Sequence, residues 1–287
     1  MTPPALYAGL SALAGDYEAF LLDSWGVLQN GVAPLPGAND CLRRLNEAGK
    51  SLVILSNSAR RAHVVAGELA RTGVAMEHIG QVLTGGEAAW QALHGRTDAA
   101  HRALGRRCYY LGSQRSRSLL DGLDLDIVAS VREASFILCT SPPDEGLGPA
   151  LNEVLAEAAR RGLTMVCANP DLSAHYGEEE RPCAGAVARL YAALGGAVIH
   201  HGKPHQPFYD MALARLGEIA PSHVLAVGDA FATDLAGAAA AGLDGLLVMG
   251  GIHRASFAGP DGRAAQLEAL CREYDLWPVG AVERFCW

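Results

Sequence analysis

The chain has 287 residues, half of them hydrophobic, which is enough apolar surface for one large domain or two medium ones. Its formal net charge of −8 argues against a nucleic-acid partner, because phosphate backbones select basic surfaces. No apolar run reaches the roughly 20 residues that span a bilayer, and the N-terminus lacks the basic start of a signal peptide. The seven scattered cysteines include no CxxC pair, so we expect reduced thiols in a cytoplasmic protein without a membrane partner.

The first elements along the chain are predicted to alternate between strands and helices. Residues 17–23 (YEAFLLD) have the pattern of a buried strand that ends in an acid. A stretch with glycines and prolines, 26–37, separates this strand from an amphipathic helix over 38–49. A second strand over 51–55 leads into Ser-Asn-Ser, which is typical of a helix N-cap, and a second helix follows over 59–72.

The last third of the chain repeats this alternation. Short strands are predicted at 197–200, 224–227 and 243–249, with helices over 206–217 and 233–241. Such alternation is typical of an α/β protein with a parallel sheet, in which ligands bind at the carboxyl ends of the strands. We therefore predict a three-layer, Rossmann-like α/β core.

The middle of the chain has an αβ pattern of its own. Strands are predicted at 108–111, 136–140 and 164–168. Helices are predicted at 88–104 and 148–161. A stretch of about a hundred residues with three strands can form a separate small domain. We therefore predict a core formed by 1–86 and 186–287, with 87–185 as a cap domain inserted between its two halves.

Two segments near the N-terminus carry residue types suited to phosphate chemistry. Asp23 ends the first strand, and Gly26 allows a tight backbone turn beside its carboxylate. An aspartate can act as a covalent nucleophile and form an aspartyl phosphate, although a strand-end aspartate that caps a turn has the same pattern. Ser56 and Asn57 follow the next strand, where a hydroxyl and an amide can hold phosphate oxygens or cap the following helix.

A third segment contains Lys203 between a glycine and a proline that suits the first turn of a helix. Its ammonium can neutralise both a phosphate and a carboxylate, and an exposed turn lysine is the simpler alternative. Three histidines surround it: His200, His201 and His205. Because no cysteine or acid flanks them at a zinc-like spacing, solvated or hydrogen-bonded histidines are favoured over a metal site.

A fourth segment contains two carboxylates. Asp229 ends an apolar strand, and Asp234 follows at the start of the next helix. Together with Asp23 they offer an oxygen-rich site for a hard cation, and Mg²⁺ prefers one or two carboxylates with water and a substrate phosphate. The alternative for this segment alone is a helix N-cap followed by a first-turn acid.

The order and spacing of these segments resemble the haloacid dehalogenase superfamily, whose motifs are a nucleophile Asp, a Ser or Thr, a Lys and a late acidic pair. The resemblance covers the whole chain, and GDxxxTDxxGA at 228–238 is its most specific part. The insertion between Ser56 and Lys203, with ANPD at 168–171, resembles subfamily IIA, which includes nucleotide, sugar, pyridoxal and 4-nitrophenyl phosphatases. That subfamily has a C2-type α/β cap, and by analogy a homodimer formed through the cap is compatible with the resemblance.

The resemblance implies a Mg²⁺-dependent phosphatase that acts on a small phosphorylated metabolite, such as a sugar phosphate or a nucleotide. Asp23 would attack phosphorus and form an aspartyl phosphate. Ser56 would bind the transferring group with help from the Asn57 backbone, and Lys203 would offset its charge. Catalysis of this kind depends mainly on positioning and electrostatic stabilisation.

The resemblance also implies where the ion and the substrate bind. The ion would be held by the Asp23 carboxylate, the Trp25 carbonyl oxygen and Asp229, with support from Asp234. Substrate selection is expected in the cap, near the segments 169–176 and 84–87. Asn169 and Asp171, in the first of these segments, are the expected substrate contacts.

One position departs from the family's phosphatases. They place a second Asp two residues after the nucleophile as general acid and base, and Trp25 occupies that position here. Indole donates one N–H and has no proton to exchange near pH 7. Because losing a general acid or base typically costs about 10²- to 10⁴-fold in rate, a slow phosphatase, a proton supplied by the leaving group or the cap, and a different reaction all fit.

Two other functions fit parts of the pattern. A C–halogen hydrolase needs no metal and has no acid at the Trp25 position, but Asp229 and Asp234 would then have no purpose. A catalytically weak module that binds a phosphorylated metabolite and responds by cap closure is favoured by Trp25. Mg²⁺-dependent phosphate release separates all three functions.

Overall fold

The structure is a computed structural model that describes residues 3–176, 179–258 and 262–287. The chain forms two compact units, each with its own parallel sheet. The first unit combines Met1–Ser56, Ala66–Leu83 and Lys203–Trp287. The second unit combines Asn57–Val65 and Thr84–Gly202.

The strands and helices alternate along most of the described chain. The strands are β1 (Ala5–Tyr7), β2 (Ala19–Leu22), β3 (Ser51–Ser56), β4 (Gln81–Thr84), β5 (Arg107–Leu111), β6 (Asp126–Val128), β7 (Phe136–Cys139), β8 (Thr164–Cys167), β9 (Ser173–Tyr176), β10 (Glu179–Pro182), β11 (Ala197–His200), β12 (Val224–Gly228), β13 (Asp244–Val248) and β14 (Gly280–Val282). The α-helices are α1 (Ala38–Glu47), α2 (Ala62–Arg71), α3 (Gly85–Gly95), α4 (Ala99–Arg102), α5 (Pro149–Arg160), α6 (Ala184–Ala193), α7 (Gln206–Arg215), α8 (Ala236–Ala240) and α9 (Arg263–Tyr274).

The first unit contains a seven-stranded sheet in the order β1-β14-β13-β12-β2-β3-β4. Every residue of β2 and β12 is buried. Such uninterrupted burial is typical of parallel strands that are covered on both faces. The strand order runs outward from β2 in one direction and from β12 in the other. The topological switch point, where sheets of this class bind ligands, therefore lies between these two strands.

The register of this sheet brings three strand ends to the same edge. Leu22 of β2 pairs in parallel with Val227 of β12 and with Ile54 of β3. The N–H of Asp23 then donates to the carbonyl oxygen of Val227 at 2.9 Å. The polar residues that follow β2, β3 and β12 are consequently neighbours at the carboxyl edge of the sheet.

The second unit contains a five-stranded sheet in the order β11-β8-β7-β5-β6, with parallel neighbours, and an antiparallel β9–β10 hairpin. Its core includes Leu155 from α5, Met165 from β8 and Tyr191 from α6, all fully buried. The Tyr191 hydroxyl donates to the Leu163 carbonyl oxygen at 2.5 Å, which ties α6 to the start of β8.

The observed division of the chain differs from the predicted one. β11, which the sequence analysis grouped with the core, pairs along its whole length with β8 of the second unit. The boundary therefore follows Gly202 instead of lying at 185/186, a position inside α6. Residues 57–65 also join the second unit. A short apolar strand after a helix has the same local pattern in either sheet, so the pattern alone does not identify its partner.

The N-terminus of α2 is also built differently from the prediction. The helix begins at Ala62, whose N–H donates to Oε2 of Glu87 at 3.2 Å. Ser58 lies four residues before this start, and its Oγ accepts the N–H of Arg60 at 3.4 Å. A glutamate distant in sequence therefore accepts the free backbone N–H at the start of the helix. Nothing in the local Ser-Asn-Ser pattern signals this contact.

All seven cysteines are free thiols, and six of them are buried. Among the described residues, none of the helices has the length and apolar character needed to cross a bilayer.

Candidate active site

Lys203 is bonded to both sides of the switch point. Its Nζ donates to Oδ1 of Asp23 at 2.5 Å, to Oδ1 of Asp234 at 2.7 Å and to the carbonyl oxygen of Leu55 at 3.1 Å. These bonds use all three donors of the ammonium group. The side chain is 4% exposed, and the ammonium is held by acceptors that follow β2, lie in β3 and follow β12.

Three carboxylates meet at this edge of the sheet. Asp23 follows β2, Asp229 follows β12, and Asp234 lies in a π-helical turn over Phe231–Leu235. One ligand oxygen from each lies within 4.8 Å of the others. The turn is closed by Asp234 itself, whose Oδ2 accepts the N–H of Ala230 at 3.1 Å. Since both Asp234 oxygens are engaged, by Lys203 and by the backbone, this acid orients its neighbours.

The electrostatics of the site are dominated by burial. Burial raises the pKa of Asp23 to about 7, against the opposing effect of Lys203, and the charge of Asp234 adds to the rise. Burial, followed by the charges of Asp23 and Asp234, holds the pKa of Asp229 well above its usual value. Burial alone would lower the pKa of Lys203, but the two carboxylates it contacts outweigh that effect and raise it.

Glycines allow the backbone to approach Asp229 closely. A Cβ atom at Gly26 would lie 2.0 Å from Oδ2 of Asp229, and one at Gly251 would lie 2.1 Å from the same oxygen. Gly26 also has a φ of +74°, which disfavours any side chain. The N–H of Ile252 donates to this Oδ2 at 2.7 Å. Asp229 is thus enclosed by two backbone segments, and one of its oxygens is already hydrogen bonded.

The residues of this cluster fit a divalent cation. When all three carboxylates are ionised, the single ammonium leaves two negative charges uncompensated among largely buried side chains. Burying unpaired charge is costly, and a divalent ion would compensate both charges. Within the described ranges, this is the one group of three acidic, histidine or cysteine side chains close enough to share an ion.

The predicted phosphate-binding residues lie on both sides of the unit boundary. Ser56 is the last residue of β3, is 3% exposed and belongs to the first unit. Asn57 begins the second unit, where its Nδ2 donates to Oδ1 of Asp171 at 2.7 Å. The Asn57 side chain is therefore engaged within the second unit, while its backbone continues directly from Ser56.

Asn169 and Asp171 follow β8 in the second unit. Oδ1 of Asn169 accepts the N–H of Asp171 at 2.9 Å, which forms a tight turn. The carbonyl oxygen of Asp171 accepts the N–H of Gly185 at 3.1 Å. The turn and Asn57 thus form one hydrogen-bonded group at the carboxyl end of a strand, the place where the sequence analysis expected substrate contacts.

Trp25 lies in the turn that follows Asp23. The N–H of Gly26 donates to the carbonyl oxygen of Gln29 at 3.0 Å, and Gln29 Nε2 donates to Oγ of Ser24 at 3.2 Å. A Cβ atom at Gly31 would lie 2.4 Å from the Trp25 ring. The indole therefore packs against the backbone of the same loop at Gly31. The side chain at this position packs within the loop and brings no titratable group.

The three histidines around Lys203 do not form a cluster of three ligands. Nε2 of His201 lies 3.1 Å from Nε2 of His101, whose Nδ1 lies 2.6 Å from Oδ2 of Asp98. His205 occupies the N-cap position of α7, and burial lowers its pKa. The helix begins at Gln206, so Pro204 lies before the first helical turn in which the sequence placed it.

Sequence reasoning missed two supports of the acidic cluster. Tyr209 of α7 is fully buried, and its hydroxyl donates to the carbonyl oxygen of Asp234 at 3.0 Å. The loop after β13 contributes Gly251 and Ile252. The adjacent glycines at 250 and 251, directly after a strand, were the available signal for a close backbone approach.

Two family models match the chain. Residues 20–126 match haloacid dehalogenase-like hydrolases, and residues 200–269 match HAD-hydrolase-like proteins. The matches contain Asp23, Ser56, Lys203, Asp229 and Asp234. Mouse chronophin is 26% identical over 250 residues, which cover 85% of this chain and 85% of chronophin.

Solved structures with the same fold cover nearly the whole chain. A hydrolase of the haloacid dehalogenase-like family from Brucella suis 1330 is 32% identical with a TM-score of 0.82, and the match covers 97% of this chain and 99% of that protein. A glycerol phosphate phosphatase from Mycobacterium tuberculosis, solved in complex with magnesium, is 26% identical with a TM-score of 0.64, and the match covers 89% of this chain and 78% of that protein.

Proposed function

Because the chain belongs to the haloacid dehalogenase-like hydrolases, as a phosphatase with the architecture of subfamily IIA, we propose that it hydrolyses a small phosphorylated metabolite in a Mg²⁺-dependent reaction through an aspartyl phosphate. Sugar phosphates and nucleotides are the proposed substrate class. The observation that carries the proposal is the buried contact between Asp23 and Lys203 beside two further acids at the topological switch point.

The proposed nucleophile is Asp23. One of its oxygens accepts from Lys203, which keeps the carboxylate oriented and favours its charged form. An ammonium so close also compensates the charge that accumulates around phosphorus during transfer. Ser56 and the Asn57 backbone, at the end of β3, would bind the oxygens of the phosphoryl group.

The proposed ligands of Mg²⁺ are the Asp23 carboxylate, the Trp25 carbonyl oxygen and Asp229. Bound there, the ion would neutralise phosphate charge that the single ammonium of Lys203 leaves uncompensated. Asp234 supports the site indirectly, since its two oxygens hold Lys203 and the N–H of Ala230. Asn169 and Asp171 are the proposed substrate contacts of the second unit.

Trp25 limits the leaving groups that the site can expel. Without an acid two residues after Asp23, an alkoxide would have to depart without a proton from that position. Aryl phosphates, whose leaving groups are stable anions, avoid this difficulty in the first step. The chain should therefore prefer substrates with acidic leaving groups. The three retained carboxylates favour this phosphatase over a metal-independent dehalogenase.

The proposal is tested by phosphate release from a panel of sugar phosphates, nucleotides, glycerol phosphates and aryl phosphates, with and without Mg²⁺. We expect release that requires Mg²⁺ and disappears in Asp23→Asn. The matched control is Asp210→Asn on α7, where an exposed carboxylate accepts from Nε2 of Gln206 at 2.9 Å. Phosphate release that persists in Asp23→Asn, or that is the same with and without Mg²⁺, would rule the proposal out.

A further inference from the structure

The loop after β13 holds one side of the acidic cluster. The N–H groups of Met249 and Gly250 donate to the carbonyl oxygens of Val282 and Glu283 at 2.9 Å each, which continues the sheet beyond β13 and β14. The next residue, Gly251, lies close to Asp229 because it has no side chain. The N–H of Ile252 then donates to Oδ2 of Asp229. The loop is therefore fixed to the sheet on one side and to a proposed metal ligand on the other.

His253, the next residue of this loop, reaches the turn that carries the other acid. Its Nε2 lies 3.4 Å from the backbone nitrogen of Phe231 and accepts that N–H. Phe231 is fully buried and begins the π-helical turn, between Asp229 and Asp234. To accept, Nε2 must carry a lone pair, so the ring must be neutral with its proton on Nδ1. Burial lowers the pKa of His253 and favours this neutral state.

The same turn is held by ring packing. The Phe231 ring stacks on Tyr274 of α9, with centroids 5.1 Å apart and planes inclined by 21°. The His253 ring meets both of these rings edge-on, at 5.5 Å from Phe231 and 5.9 Å from Tyr274. We call Phe231, His253 and Tyr274 the aromatic anchor. Edge-on and stacked arrangements of this kind are favourable beyond the area that they bury.

We propose that His253 is a positioning residue for the cation site. By accepting the N–H of Phe231, it sets the separation of Asp229 and Asp234, the two acids on either side of Phe231 in the sequence. The loop that delivers the imidazole also delivers the N–H bond to Asp229, so a single segment fixes one acid directly and the turn of the other through Phe231. The inference rests on the proposed function, because it assumes that Asp229 binds Mg²⁺. Neither His253 nor Tyr274 touches the carboxylates in this scheme.

The test compares two amides that differ only in reach. In His253→Gln, the amide oxygen can occupy the place of Nε2, whereas in His253→Asn it stops at the place of Nδ1. Both variants lose the ring, so their difference isolates the acceptor. Isothermal titration of the metal-free proteins with MgCl₂ gives the dissociation constant, and kinetics at saturating Mg²⁺ give kcat. Because one hydrogen bond contributes on the order of fivefold in an equilibrium constant, we expect Mg²⁺ binding about three- to tenfold weaker in His253→Asn than in His253→Gln.

Two further variants separate the possible failures. His223→Gln, at the opposite end of β12, replaces an exposed histidine bonded to Glu18 and should leave Mg²⁺ binding unchanged. Asp229→Asn should weaken it strongly. If Asp229→Asn leaves Mg²⁺ affinity intact, the cation site itself is wrong. If Asp229→Asn weakens binding while the Asn and Gln variants at 253 bind alike, the positioning inference is overturned, whatever their melting temperatures.

Discussion

The ammonium nitrogen of Lys203 lies 2.5 Å from Oδ1 of Asp23, although 180 positions separate the two residues along the chain. The same nitrogen also contacts Asp234 and the carbonyl oxygen of Leu55, so it joins the ends of strands that are distant in sequence. Its removal should therefore affect both the stability of the first unit and the chemistry of the site.

Replacing Lys203 with methionine keeps the length and the apolar stem of the side chain but removes the charge. Loss of one partner from a buried ion pair costs about 3–5 kcal/mol of folding free energy, and loss of an electrostatic stabiliser costs about 10²- to 10³-fold in kcat. Urea unfolding and steady-state kinetics measure the two effects. Lys50→Met is the control, since Lys50 donates to the Tyr17 carbonyl oxygen at 2.7 Å, away from the acids. Comparable loss of kcat in both variants would contradict the assigned role.

The raised pKa of Asp23 predicts a pH-dependent effect of Mg²⁺ on stability. Burial raises this pKa from 3.8 to about 7. A carboxyl with a raised pKa in the folded state contributes stability that is complete below its unfolded pKa and is lost as the pH rises through the folded value. The metal-free protein should therefore lose stability between pH 3.8 and about 7, and Mg²⁺ should restore more of it at the upper end.

Melting temperatures with and without MgCl₂ across this range measure the effect. Asp23→Asn removes the titrating group and serves as the reference, because other acids of the chain titrate in the same interval. We expect the difference between wild type and Asp23→Asn to shrink when Mg²⁺ is present. A Mg²⁺ gain that is the same at every pH would argue against the cluster as its origin.

Trp25 predicts an unequal effect on the two chemical steps. Aryl phosphates need little proton donation when phosphate moves to Asp23, but hydrolysis of the aspartyl phosphate lacks a base to activate water. We expect a burst of the aryl leaving group followed by slow turnover, and still slower reaction of alkyl phosphates. Trp25→Asp should speed turnover, unless the packing of the lost indole against Gly31 disturbs the loop.

Rapid-mixing kinetics with an aryl phosphate measure the burst. Asp23→Asn should show neither burst nor turnover. Fast turnover of wild type without a burst would show that another group replaces the missing acid, and the second unit would be the first place to search for it.

The close approach of Gly251 to Asp229 predicts that a methyl group there is not tolerated. In Gly251→Ala, the new carbon would lie 2.1 Å from Oδ2 of Asp229, so the loop or the carboxylate must move. We expect the Mg²⁺ concentration for half-maximal activity to rise about tenfold or more, as for other changes that displace metal ligands. Gly67→Ala in α2 is the control, since its Cβ would meet nothing within 4 Å and should stabilise the helix by about 0.5–1 kcal/mol. Equal Mg²⁺ requirements in the two variants would contradict this view of Asp229.

The grouping of acids at the carboxyl edge of the sheet could be predicted from the sequence, because each acid is recognised from its own strand. Asp23 and Asp229 each follow an apolar run, and parallel strands deliver such residues to one edge whichever neighbours they have. The partner of β11 was not predictable in this way, since its short apolar run fits either sheet. The contact of His253 with Phe231 and the capping of α2 by Glu87 depend on tertiary packing, and no spacing along the chain signals them.

The pairing of β2 with β12 has a consequence for how the chain folds. It joins Ala19–Leu22 to Val224–Val227, and the whole second unit lies between these strands in the sequence, so it must be looped out before the sheet of the first unit is complete. Most of the second unit is one continuous stretch, Thr84–Gly202, whose contacts are nearer in sequence and can form while the chain is still being synthesised. Until β12 emerges, the apolar strand β2 has unpaired backbone N–H and C=O groups along one edge, and at this stage the nascent chain is exposed to aggregation.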